Sequence, residues 1–493
     1  MSDKGLPIIR IQNLNNLDAK FNYFNGYYDE KHLVRPGDLL FAWSGTPGTS
    51  FGAHVWRGGI ALLNQHIFRV VTPDGLLDKT YLRFAINYKL DELIHKAQGG
   101  VGLRHVTKGT FENTEILLPP LAEQQRIVAN IEALQERGRR VREALSEVGP
   151  LLDQFRQSML AAAFRGDLTA DWRAAHPNVA PASELLHCIR VERRCRWEQA
   201  ELAKYEAKGQ KSPKNWQDKY EEPEPMDDSD LPELPEGWCW ASIDIISEVV
   251  RGASPRPAGD PRYFDGDHTP WITVREITKD DEIYLTNTAT YLTEAGRVAS
   301  RFIPSEILLL TNSGATLGVP KITKIGGCIN DGSVAIISVS GQFQLYLYFY
   351  LLSLTESLRR INQGAAQPNL NTDIVRQITV PIAPDAEQAE IIKSLNIALA
   401  TYRSLKLEIP ELAGEMDQLT QSILAKAFRG ELVPQDPNDE PASVLLSRIR
   451  EQRAQQAEAT KGKKKTATTQ RGIKTGKQSS KLTPQQLTLA EVL

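Results

Sequence analysis

One duplication constrains this chain more than anything else in it. A stretch opening at Ala122-Glu-Gln-Gln-Arg-Ile-Val128 closes at Ala163-Phe-Arg-Gly-Asp-Leu168, and a second opening at Ala386-Glu-Gln-Ala-Glu-Ile-Ile392 closes at Ala427-Phe-Arg-Gly-Glu-Leu432. Ala122 to Ala386 and Phe164 to Phe428 are each 264 positions, so the match carries no gap. Any fold for this sequence must build the same long element twice.

Both copies read in sevens. In the first, Ile127, Leu134, Val141, Val148, Phe155 and Ala162 form one column, and Ile131, Gly138, Leu145, Leu152 and Met159 form the column four residues on. In the second, Ile391, Ala398, Leu405, Leu412 and Leu419 stand beside Leu395, Tyr402, Ile409, Met416 and Ile423. That 4-3 spacing is a coiled-coil seam, and the polar residues between suit a solvated face. Gly166 and Gly430 stand where a helix stop favours a left-handed backbone. A helix of forty residues spans about 60 Å, too long to bury its stripe on one small domain. The spacing predicts that the two helices pack on each other, with Pro150 and Pro410 kinking or briefly breaking them.

The length predicts three or four domains. No apolar run reaches the roughly 18 residues of a membrane span, and Met1-Ser-Asp-Lys-Gly has no signal-peptide core. Cys188, Cys195, Cys239 and Cys328 form no CxxC pair, which speaks against zinc and structural disulfides and for a cytoplasmic protein. A net charge of -3 hides segregation: acids crowd residues 221–236, while Lys461 to Lys481 holds eight basic residues and no acid. The sum therefore excludes no class of partner.

The chain in order reads as α+β. Residues 1–117 form a mixed unit, 118–203 a helical spacer, 204–233 a charged flexible linker with few apolar anchors, 234–380 a second mixed unit, 381–455 a second spacer, and 456–493 a basic disordered tail. The mixed units match each other. Pro270-Trp-Ile-Thr-Val-Arg-Glu-Ile277 corresponds to Pro7-Ile-Ile-Arg-Ile-Gln-Asn-Leu14, and Ile303 to Gly314 corresponds to Val34 to Gly45. The segment Trp238 through Tyr263 has no counterpart ahead of Pro7, so the first unit reads as N-terminally incomplete. The apolar frame is shared while the polar loop residues differ, as expected of two modules with one scaffold and two specificities.

These residues resemble a family. Leu234-Pro-Glu-Gly-Trp238, Arg251-Gly-Ala-Ser-Pro-Arg256, Gly364-Ala-Ala-Gln-Pro-Asn-Leu370, the Ala-Glu-Gln openings and the Phe-Arg-Gly closings together resemble the DNA-specificity subunit of type I restriction-modification enzymes. The likeness leaves out only the linker and the tail. It implies two target-recognition domains, each reading one half of a bipartite double-stranded DNA site, separated by an antiparallel coiled coil of fixed length. It further implies two modification subunits that carry S-adenosylmethionine and two restriction subunits that use ATP and Mg, with no cofactor, metal or catalysis in this chain. A coiled-coil protein-interaction scaffold and an inactive truncated specificity subunit remain alternatives.

The residues themselves offer binding groups and no catalytic set. Gly476-Lys477 lacks the first Gly and the Ser/Thr of a phosphate-binding loop, no Asn/Asp-Pro-Pro-Tyr/Phe motif is present, and Pro73-Asp74-Gly75 reads as a turn. Base edges are read by Arg, Asn and Gln, and phosphates are held by Arg, Lys, Ser and Thr. The candidates in the first module are Arg10, Gln12, Asn13, Trp43, Ser44, Asn64, Gln65, His66, Arg104, His105 and Lys108. In the second they are Arg251, Ser254, Arg256, Arg275, Asn312, Ser313, Asn330, Gln367 and Asn369. All fall at predicted strand ends or Gly-rich loops, and Asn64 and Asn330 double as turn formers.

Overall fold

A computed structural model describes residues 4–45, 51–73, 75–96, 104–224, 226–361, 370–464 and 486–492. In chain order the elements used below are β1 (Leu6–Ile9), α1 (Ile11–Asn15), β2 (Leu33–Val34), β3 (Leu39–Ala42), β4 (Gly52–Val55), β5 (Ala61–Leu63), β6 (Ile67–Val70), α2 (Lys79–Tyr88), α3 (Lys108–Glu112), β7 (Glu115–Leu117), α4 (Leu121–Arg165) and α5 (Ala182–Ala207). They continue with β8 (Cys239–Ser242), α6 (Ile243–Ile246), β9 (Glu248–Arg251), β10 (Thr269–Ile272), α7 (Val274–Ile277), β11 (Arg301–Ile303), β12 (Ile307–Thr311), β13 (Pro320–Thr323), β14 (Gly327–Ile329), β15 (Ser333–Ile337) and α8 (Gly341–Ile361). The last are α9 (Thr372–Arg376), β16 (Thr379–Ile382), α10 (Asp385–Ala427), α11 (Ala442–Lys464), β17 (Gln486–Thr488) and α12 (Leu489–Val492). The chain divides into two compact units, Met1–Ser146 with Pro410–Leu493, and Glu147–Ile409.

The first unit holds two sheets. One orders β4-β3-β6, and the other places Asn22–Phe24, β1, β5 and β2 side by side, with β1 parallel to β5. The run Leu39-Leu-Phe-Ala42 is buried on both faces, which is why β3 shows no alternation. In the opening of α4, Gln124 donates to the Pro119 carbonyl at 2.9 Å and accepts from the Asp78 N–H at 3.0 Å. The repeated Gln thus fixes the entry into the helix. Ile127 and Ile131, at most 1% exposed, share a core with Ile423, Leu424 and Phe428. Further on, a Cβ at Gly138 would lie 3.5 Å from the Met416 methyl, and Arg142 donates to Asp417 and Thr420 at 3.0 and 3.1 Å. Numbers rise along α4 as they fall along α10, so the pairing is antiparallel.

The second unit repeats the plan with more strands. One sheet orders β9-β15-β12-β13 and the strand Tyr284–Leu285; the other orders Tyr291–Leu292, β10, β14 and β11. Here the closing turns of α4 meet the opening of α10, again antiparallel. The Tyr402 hydroxyl donates to Asp153 at 2.7 Å, and Leu160, Ala163 and Phe164 share a core with Ile391, Leu395 and Leu399. Glu387, the repeated Glu, is buried and accepts from Thr169 at 2.6 Å, Arg173 at 2.9 Å and the Trp238 indole at 2.9 Å. Phe164 packs on Tyr346 and Tyr350, as Phe428 packs on Tyr81 and Tyr88 in the first unit.

Four expectations need correcting. Both columns of the seam were expected to be covered. Ile127, Ile131, Ile391, Leu395 and Tyr402 are buried, and Leu134, Leu145, Val148, Leu152, Met159, Ile409, Met416 and Ile423 are half-buried. Val141, Phe155, Leu405, Leu412 and Leu419 stay 39% to 51% exposed. A single helix-on-helix contact covers one line of side chains per helix away from the domains, which leaves the other column out. Pro150 and Pro410 lie within α4 and α10 without breaking them. The linker is anchored by aromatics: Trp197 stacks on Trp216 at 6.1 Å and meets Tyr220 at 5.3 Å, and α5 runs on to Ala207. Nor is the described part of the tail disordered. α11 reaches Lys464, and β17 pairs antiparallel with β7, seating Leu489 fully buried in the core of the first unit. The Leu-Thr-Leu alternation is what the basic composition concealed.

Candidate nucleic-acid interface

In the second unit, β12 ends where the chain turns out through Asn312 and Ser313. The Asn312 N–H donates to the Gly332 carbonyl at 3.0 Å, which sets these residues beside the Asn330-Asp331-Gly332 turn between β14 and β15. Asp331 is the hub. Its carboxylate accepts from the Ser254 hydroxyl at 2.6 Å and from Arg256 at 3.0 Å. Its backbone carbonyl accepts from Arg251 Nε at 3.2 Å and Asn312 Nδ2 at 3.4 Å. The arm carrying Arg251 to Arg256 crosses so closely that a Cβ at Gly252 would lie 2.0 Å from the Asn330 carbonyl oxygen; only glycine fits. At Gly332 a Cβ would lie 3.2 Å from Ser313 Oγ and 2.7 Å from a Val274 methyl, which brings α7 and its Arg275 alongside. Leu370 N–H donates to the Asn312 carbonyl at 2.7 Å. Gln367 and Asn369, just before it, lie outside the described residues.

The first unit repeats this frame with other side chains. Trp43 N–H donates to the His66 carbonyl at 3.1 Å, and Val106 N–H donates to the Trp43 carbonyl at 2.9 Å. Trp43 and Ser44 thus stand where Asn312 and Ser313 stand, and Asn64, Gln65 and His66 replace Asn330, Asp331 and Gly332. The turns close identically, Ile67 N–H to Asn64 and Ser333 N–H to Asn330, each at 3.1 Å. Trp43 and His66 rings lie 5.8 Å apart, and Ser44 and Gly45 pair with His105 and Arg104 in a short ladder. Of the eleven residues singled out in this unit, these seven converge.

The rest take other work. Asn13 is fully buried; its amide accepts from Arg10 N–H at 3.0 Å and donates to the Ala19 carbonyl at 2.8 Å, so it caps α1 and faces no ligand. Arg10 and Gln12 both donate to the Lys20 carbonyl, at 2.6 and 3.2 Å. Lys108 lies on α3, paired with Glu112 at 3.4 Å.

Sequence reasoning passed over two features. Asp331 escaped because an acid is the wrong sign for phosphate, although Asn-Asp-Gly between two strands is a strong turn signal. Tyr27 and Tyr28 also escaped. They are 97% and 42% exposed and line an open cavity of about 970 Å³ with Phe24, Lys31, Asn64 and Gln65. Two adjacent aromatics directly after Asn25-Gly26 were the available signal. Asn312 and Ser44, at 0% and 4% exposure, are buried within the frame. The groups that face outward are Gln65, with Asn64 and His66 half-buried beside it, in the first unit, and Arg251 and Arg256, with Ser254, Ser313 and Asn330 half-buried beside them, in the second. That is the inventory for base-edge and phosphate contacts.

Comparison with known proteins agrees with this arrangement. Residues 2–142 and 235–418 match the family described as Type I restriction modification DNA specificity domain. The type I restriction enzyme EcoBI specificity subunit of Escherichia coli is 25% identical over 93% of this chain and 88% of its own length. The EcoKI specificity subunit of Escherichia coli strain K12 is 22% identical over 94% of this chain and 91% of its own. The fold is shared with the HsdS subunit from Thermoanaerobacter tengcongensis, with a TM-score of 0.55 and 19% identity over 87% of this chain and 91% of that one. A chain from a structural study of complex assembly in the type I R-M system gives a TM-score of 0.58 at 20% identity, covering 87% and 92%. With the family matched on both recognition units and on parts of both long helices, this chain belongs to the type I restriction-modification DNA specificity family.

Proposed function

We propose that the chain is the sequence-specific DNA-recognition subunit of a type I restriction-modification complex. Each recognition domain reads one half of a bipartite double-stranded target, and α4 and α10 set the gap and dock the methyltransferase subunits. One observation carries this reading: the two domains hold the same backbone frame at the same strand ends, with Trp43, Ser44 and Asn64 to His66 in one and Asn312, Ser313 and Asn330 to Gly332 in the other. A constant frame with exchanged polar side chains is what two readers of different half-sites require. At 45 residues and about 1.5 Å per residue, α4 is about 68 Å long, against about 34 Å for one turn of DNA.

The chain contributes recognition and no covalent chemistry. S-adenosylmethionine belongs to two modification subunits, and ATP and Mg to two restriction subunits. The assembly works in the cytoplasm; among the described residues no helix is long and apolar enough to cross a membrane. The test is a mobility shift with a defined target. DNA carrying both half-sites should be retarded by the chain together with its modification subunit, and DNA with either half scrambled should not. Equal retardation of scrambled DNA contradicts the reading.

A further inference from the structure

In the second unit the arm carrying Arg251 to Arg256 is gripped at Ala253 through both of its backbone groups. The Ala253 N–H donates to the Ile329 carbonyl at 3.0 Å, and the Ala253 carbonyl accepts from the Ser300 hydroxyl at 2.6 Å. Ser300 ends the turn after the short helix Glu294–Val298 and leads straight into β11. The first residue of β11 is Arg301, which pairs with Ile329, the last residue of β14 before the Asn330-Asp331-Gly332 turn. Arg301 therefore starts its strand beside both the arm and that turn.

Strand alternation fixes its direction. Arg301 and Ile303 lie two apart on β11 and share a face, and Ile329, directly opposite Arg301, shares it too. Ile303 and Ile329 are buried in one core, while Arg301 is exposed. Its stem continues that face past the rim of the core, and its head group reaches solvent at the end of the sheet where Asn330 turns. The first unit keeps the same placement. Ile8 and Leu33 flank Leu62 as Trp271 and Phe302 flank Cys328, so His32 holds the register of Arg301. His32 lines one cavity with Asn64 and Gln65 of the first recognition turn.

Charge separates Arg301 from its neighbours. Arg256 pairs with the Asp331 carboxylate at 3.0 Å, and Arg251 donates to the Asp331 carbonyl at 3.2 Å. A guanidinium braced in this way has a fixed orientation, as reading a base edge requires. Among the described residues Arg301 makes no ion pair or hydrogen bond. Arg297, four residues earlier, lies over the Phe302 ring at 4.4 Å and likewise pairs with no described acid. The rim beside the arm thus carries positive charge that no carboxylate offsets.

We propose that Arg301 holds a backbone phosphate of the second half-site, beside the bases that the Asp331 cluster faces. The inference rests on the DNA-recognition reading and adds a residue to it. A phosphate contact contributes affinity and salt dependence and carries no sequence information.

The test uses the chain with its modification subunit and a fluorescein-labelled duplex carrying the site that the complete complex methylates, titrated by anisotropy at several KCl concentrations. Arg301→Ala should weaken binding about tenfold and flatten the slope of log affinity against log salt by about one, with thermal unfolding unaltered. The penalty for changing each base pair of the half-site should stay as in the unsubstituted chain. Arg301→Lys keeps the charge and should keep the slope. Unchanged affinity and slope in Arg301→Ala, or a slope flattened equally by Arg301→Lys, overturns the proposal. So does lost discrimination at one base pair in Arg301→Ala, which would make Arg301 a base reader. If the unsubstituted complex bound a scrambled duplex equally well, the recognition reading itself would fall and take the inference with it.

Discussion

Single residues divide here into those that hold and those that face outward, and their surroundings assign them. Asp331 is 43% exposed and engages Ser254, Arg256, Arg251 and Asn312 through its carboxylate and carbonyl. Asp331→Ala frees the Arg251 to Arg256 arm, and about tenfold weaker binding of one half-site is expected in a mobility shift, with the other half unaffected. The repeated Glu pair behaves asymmetrically. Glu387 is 1% exposed with three donor residues, so Glu387→Ala should cost about 3 kcal/mol or more in thermal unfolding, leaving Arg173 and the Trp238 indole without their acceptor. Glu123 is also buried, and burial pushes its carboxyl above the ordinary 4.5, against the pull of Arg126. A raised carboxyl binds its proton more tightly in the folded state, so its charge destabilises the fold above the folded pKa. The loss disappears as pH falls toward 4.5. Glu123→Gln should therefore raise the melting temperature at neutral pH and lose that advantage under acid conditions.

At the scale of elements, the duplication was legible and its consequences were half legible. The Ala-Glu-Gln openings and Phe-Arg-Gly closings mark the ends of α4 and α10 because each residue has a local task. Gln124 and Gln388 hold the preceding carbonyls at 2.9 and 2.8 Å, and Gly166 and Gly430 take φ of +81° and +73°. The Phe anchors were not legible as such, since their pockets of Tyr81 and Tyr88, or Tyr346 and Tyr350, come from distant segments. Phe428→Ala should destabilise the first unit by about 3–5 kcal/mol, and Phe164→Ala the second, seen as separate shifts in calorimetry. Heptad spacing showed where the seam lies but not how much of it is covered, because Val141 and Leu412 obey the pattern and remain exposed. The pairing of β17 with β7 was hidden for another reason. It joins residues more than 360 positions apart, and no local pattern encodes such a partner. The candidate site was readable as a set of loops, and the frame joining Asn312 to Gly332 was not.

For the molecule as a whole, the duplication yields two units that each combine one recognition domain with parts of both long helices. Net charge of -3 is no obstacle to DNA recognition when the donors gather at two strand-end clusters. The account stands on two readers joined by helices of fixed length. Single-molecule sequencing of DNA modified by the complete complex, mapping every methylated adenine, tests it most directly. The expected result is one motif of two short defined halves separated by an undefined gap of constant length. A continuous motif, or halves whose separation varies from site to site, would contradict it.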